Sequence, residues 1–138
     1  MTSKDEIVTK YLEKARSYIN TPFKHQGRNK NGLDCIGIVV VPLNDIGFFT
    51  YENKNYRKYG LGGEIIDVLS KYCYEVEKPF KYMAGDILLF SKGASQHLAI
   101  YTDKNTIIHA HNFVGKVVEH SLTQDWEINI TKVFRYKE

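Results

Sequence analysis

The chain has 138 residues and a formal charge of +3, with 43% hydrophobic and 25% charged residues. That length holds one domain with one core, and the composition excludes an intrinsically disordered chain. The charge is no basic patch by itself and reads as a solvated surface, so no nucleic-acid partner is expected.

The first element is charged and periodic. Thr2–Ser3–Lys4–Asp5 offers a cap, and Ile7, Tyr11, Ala15, Tyr18 and Ile19 recur at helical spacing. A helix is expected from about Lys4 to Ile19, stopped by Asn20–Thr21–Pro22. This start lacks the apolar centre of a signal peptide, and no run approaches the ~18 apolar residues of a membrane span. Synthesis in the cytoplasm without a signal peptide is the expectation. Next comes a polar loop, PFKHQGRNKNG, with turn residues Gly27, Asn31 and Gly32.

The stretch GLDCIGIVVVPL poses the central question. Asp34 suits an N-cap, which would put Cys35 at the start of a buried helix. The β-branched run Ile36–Val41 suits a strand equally well, and Pro42 is awkward in a helix interior. A further helix is expected at Gly63–Tyr72. Ahead of it, YENKNYRKYG (Tyr51–Gly60) mixes Tyr with Lys and Arg, and Gly47–Met83 as a whole suits a lid or docking surface.

From Ala84 the period changes to two. Strands are expected at Asp86–Phe90, His97–Tyr101, Thr106–Ala110, Lys116–His120 and Ile130–Tyr136, separated by turn residues. Helices followed by a mostly antiparallel sheet make an α+β domain, and no linker divides residues 1–138.

Two cysteines, Cys35 and Cys73, make neither a disulfide framework nor a zinc site. At a helix N-terminus Cys35 would have a lowered pKa and a nucleophilic thiolate. His97 and His109 flank the hairpin turn TDKN, so they become neighbours on adjacent strands. One imidazole can then take the thiol proton while the other orients it. Period-two alternation puts His111 on the same side as His109, so His111 or Asn112 is an alternative orienter. Taken singly, each of these residues reads as core: a buried Cys, a satisfied His. Cys73 reads as core, His25 as a loop residue that can line a cleft, His120 as surface, and Asp86 as a turn stabiliser. Lys24, Arg28 and Lys30 read as solvated, with the option of meeting a substrate carboxylate.

GLDCIGIV, then AGDILLF, then QHLAIYTDKNTIIHAH, in this order and spacing, resembles the NlpC-type family of papain-like cell-wall peptidases. TPFKHQGRNKNG resembles the branch found with phage tails and tail-like particles, as does the closing stretch Trp126…Phe134–Arg135. The resemblance implies a papain-like fold with Cys35 as nucleophile, His97 as general base and His109 as orienter. It implies a thioester route without cofactor or metal, on peptidoglycan stem peptides, between D-glutamate and a diamino acid. Phage tail proteins are the implied partners and the cell wall the place of action. Asp34, Phe23, Lys24, His25 and Gln96 are the implied substrate-binding residues. Two positions depart from the pattern: Ile36 stands where many members have Ser, and Phe23 where many have Tyr. A structural tail subunit with a weak site, or another thiol amidase or acyltransferase, are the rival readings.

Overall fold

The computed structural model describes residues 4–48 and 63–137. The expected cap at Thr2–Ser3 and the Tyr-rich stretch 51–60 lie outside them, as does much of the suggested lid. Helix α1 spans Lys4–Arg16. It ends earlier than Ile19 because residues 17–20 turn, with Asn20 at φ 78. Two short strands, β1 (Arg28–Asn29) and β2 (Gly32–Leu33), pair as a small hairpin inside the expected loop. Helix α2 spans Cys35–Asp45, α3 Gly63–Tyr72, and β3 Cys73–Glu75. Then follow β4 (Ile87–Lys92), β5 (Ser95–Tyr101), β6 (Thr106–His111), β7 (Lys116–Ser121), α4 (Gln124–Glu127) and β8 (Ile130–Tyr136). β1, β2, β3 and α4 are too short to leave a periodic signature, and none was expected from the sequence.

The ambiguous run is a helix. Every residue from Cys35 to Leu43 is buried, Pro42 included. A helix apolar all round belongs in a core, where neighbours on every side outweigh the weak strand preference of β-branched residues. Tyr11 on α1 donates its hydroxyl to the Val39 carbonyl at 2.8 Å, fastening the two helices.

The large sheet has six antiparallel strands in the order β3-β8-β4-β5-β6-β7. One face carries Ile87, Leu89, Leu98, Ile100, Ile108 and Ala110 against the helices. The other carries Leu88, Phe90, Ala99 and Ile107 under Phe80, Tyr82 and Trp126. The outer edge at β7 is bonded by the segment after α1. Asn20 N–H donates to the Val117 carbonyl, Val117 N–H to Thr21, and Phe23 N–H to Gly115.

The Gly85–Asp86 pair has a structural explanation. Gly85 sits at φ +89, which favours glycine. Asp86, 1% exposed, accepts from Met83 N–H at 2.8 Å as the turn reading expects. It also takes both ends of the Arg135 guanidinium, at 2.9 and 2.8 Å, clamping the start of β4 to β8. Removing one partner of such a buried pair leaves an uncompensated charge. Asp86→Ala should cost about 3–5 kcal/mol in denaturant unfolding. Glu75→Ala breaks only the exposed pair with Lys132 and should cost less than about 1 kcal/mol. Equal costs would mean the Asp86 pair is not the clamp.

Candidate active site

Cys35 is mounted by Asp34. The Asp34 carboxylate is 2% exposed and accepts from the Gly37 N–H at 2.8 Å, capping α2. It also accepts from the Gln26 N–H at 2.7 Å and from Arg28 at 3.1 Å. Asp34 and Arg28 are therefore spent on each other and on the backbone. Neither is a simple solvated group. Gly37 lets the loop approach: a Cβ there would stand 2.5 Å from the Gly27 carbonyl oxygen.

The β5–β6 ladder runs through Tyr101↔Ile107 and Ile100↔Ile108. Beyond it α2 packs against both strands, and there the Leu98 N–H acts on the Cys35 sulfur. Continuing the register would set His97 opposite His111. Its ring instead meets the diagonal residue, His109, with Nε2···Nδ1 at 2.8 Å. The structure thus brings His97 and His109 into direct contact. His111 Nδ1 accepts from the Phe113 and Val114 N–H groups, so it stabilises the β6–β7 turn.

The surroundings of these rings decide their protonation. His109 is fully buried and His97 partly exposed. Burial pushes His97 down to about 4, aided by His111 and opposed by the Asp34 charge. Burial likewise depresses His109, with His97, His120 and His111 adding to the effect. Both rings are neutral at pH 7.

The Cys35 thiol departs from the expected low value. Burial pushes it up to about 12, and the Asp34 charge adds to this, while backbone N–H groups of Leu98, Ile36 and Cys35 pull the other way. The magnitudes explain the outcome: a helix terminus is worth about 0.3–1 kcal/mol. Desolvating a fully buried charge shifts a pKa by up to about 3–5 units, several times more. At neutral pH the Cys35 thiol is protonated and the His97 imidazole is neutral.

The remaining candidates separate into two groups. Gln96 lines a cavity of about 310 Å³ beside His97, with Phe90, Lys92, Ser95, Asp125, Trp126 and Asn129. Phe23, Lys24 and His25 lie on the loop leading to β1: Phe23 packs on the core, Lys24 is exposed, and His25 is in a turn. Ile36 is fully buried in the helical-face core. Cys73 is buried, as expected.

Two site residues were not foreseen. His120 is no simple surface residue: its Nε2 lies 2.8 Å from His109 Nε2. The register His109↔Val118 sets it one step diagonal on the same face, a placement the Val114–Gly115 turn implies. Trp126 packs against His97, His109, His111 and His120, with centroids 6.2, 4.9, 5.5 and 5.4 Å away. No strand periodicity locates it. Among the described residues, no group of His, Cys, Asp and Glu is set to hold a metal ion.

The chain matches the NlpC/P60 family over residues 20–135 and belongs to it. It is 27% identical over 133 residues to the probable endopeptidase NlpC of Escherichia coli, covering 94% of this chain and 78% of that one. It is 28% identical over 114 residues to a probable endopeptidase of Corynebacterium glutamicum, covering 80% of this chain but 46% of that protein. The peptidoglycan hydrolase RipB of Mycobacterium tuberculosis superposes with a TM-score of 0.66 at 17% identity, covering 97% of this chain and 67% of that one. The fold is papain-like α+β.

Two measurements follow. As pH falls below 6.5 the unfolded chain protonates its imidazole first, whereas native His97 resists to about 4. Stability from this group is therefore complete above 6.5 and lost between 6.5 and 4. The unfolding free energy from urea titration should fall over that range by on the order of 1–3 kcal/mol, and His97→Phe should flatten the slope. Iodoacetamide labelling of Cys35 should climb steadily with pH through 9. A plateau between pH 6 and 8 would instead reveal a resting thiolate.

Proposed function

We propose that this chain is a cysteine peptidase that hydrolyses peptidoglycan stem peptides, cutting between D-glutamate and a diamino acid. The observation that carries the reading is Cys35 at the α2 start, against the strand of a neutral His97 whose ring bonds to His109. A thiol raised by burial does not attack alone. It gives its proton to His97 as the sulfur bonds to the carbonyl carbon, forming a tetrahedral adduct. Collapse expels the amine, which takes the proton back from His97. Water, deprotonated by the same ring, then releases the thioester as a carboxylate. The Cys35 backbone N–H belongs to the first turn of α2, where N–H groups have no helical partner, and is placed to stabilise the oxyanion. His109 orients His97. The cavity beside His97, with Lys92 and Asp125 at its rim, suits a chain bearing both carboxylate and amine groups.

The setting we propose is the cell wall, reached with a phage tail or tail-like particle, and the support is the loop TPFKHQGRNKNG. Tail genes beside this one would support it; an unrelated neighbourhood would remove it.

Mass spectrometry of digested muropeptides tests the activity. Cys35→Ala and His97→Ala should each lower turnover by roughly a thousandfold or more. His109→Gln should keep part of the activity and His109→Ala far less, because Gln still accepts a hydrogen bond from His97. A damaging His111→Ala with a silent His109→Ala would reassign the orienter. No cleavage by the wild type would favour a structural subunit, and transfer products an acyltransferase.

A further inference from the structure

Three imidazoles stand in one hydrogen-bonded file across β5, β6 and β7. His97 Nε2 meets His109 Nδ1 at 2.8 Å, and His109 Nε2 meets His120 Nε2 at 2.8 Å. The file ends where His120 Nδ1 meets the Ser121 carbonyl oxygen at 2.9 Å. That last contact sets the polarity of all the others. A carbonyl only accepts, so His120 Nδ1 carries its proton. A neutral imidazole has a single N–H, so His120 Nε2 offers a lone pair. His109 Nε2 must donate to it, which leaves His109 Nδ1 as an acceptor. His97 Nε2 donates in turn. The nitrogen of His97 left without a proton is Nδ1.

The geometry points to His120, anchored on the Ser121 carbonyl, as a positioning residue that dictates which nitrogen of His97 can take a proton. This rests on the peptidase reading, in which His97 is the base, and extends it two rings further. His120 is partly exposed, while His109 beneath it is fully buried.

Long-range proton–nitrogen NMR on the histidine-labelled full chain at pH 7.5 reads the tautomers directly. His97 and His109 should be protonated on Nε2 and His120 on Nδ1. His97 protonated on Nδ1 overturns the inference. This readout needs no turnover, so its failure is separable from failure of the peptidase reading. Kinetics on a purified stem tetrapeptide with a γ-D-glutamyl–diamino acid bond supply the second arm. His120→Phe should lower kcat roughly tenfold with KM unchanged, and mix the His97 tautomers. His120→Gln accepts from His109 and donates to Ser121 but cannot gain a proton. It should keep most of its kcat and the wild-type tautomer of His97. Mixed His97 tautomers in His120→Gln overturn the inference. So does His120→Phe with wild-type kcat and an unchanged His97 tautomer. If His120→Phe fails to fold, the wild-type spectrum and the Gln variant still decide.

Discussion

The Asp34 carboxylate holds the Cys loop and the Cys helix together. It is almost wholly buried, and its oxygens reach the Gly37 N–H, the Gln26 N–H and Arg28. A buried carboxylate without those donors would cost several kcal/mol, so the loop folds over it as the helix begins. The same arrangement places a negative charge beside the thiol. That charge opposes ionisation of Cys35 and favours a proton on His97. One side chain thus fixes the start of α2 at Cys35 and biases its thiol toward the protonated form.

That bias shapes the chemistry. In the proposed peptidase reading, a thiol and a neutral imidazole transfer the proton as the bond to carbon forms, in the manner of a hydroxyl nucleophile with a histidine base. The tautomer of the base then matters more than its pKa, because only one nitrogen can receive the proton. A histidine file ending at a carbonyl is a way to hold that tautomer without a carboxylate in the site.

Much of this was legible in the sequence, for identifiable reasons. The strands from Ile87 onward were legible as short apolar runs divided by turn residues, because both faces of the sheet centre are covered. Asp34 declared itself as a cap, and Gly63–Tyr72 matches its helix end to end. The run after Cys35 stayed ambiguous because burial on every side erases amphipathic periodicity. The raised thiol was missed because a sequence displays the helix terminus but not the burial that outweighs it. His120 was read as surface because its strand alternates weakly. Its role depends on a diagonal contact that strand-by-strand reading does not supply. Asp86 showed its turn but not Arg135, which lies far along the chain.

The segment after α1 does a second job. Residues 20–23 lie along β7 and take up backbone groups of Gly115 and Val117 that an outermost strand would leave open. Pro22, with no N–H to offer, sits opposite Lys116 in that pairing. An extended peptide from another chain therefore finds this border already occupied along the first half of β7. Because the same residues lead directly into the loop over Asp34, the strand bearing His120 and the loop before Cys35 are fastened to one another. A pull on either would be shared between Cys35 and the histidine file, and would not draw them apart.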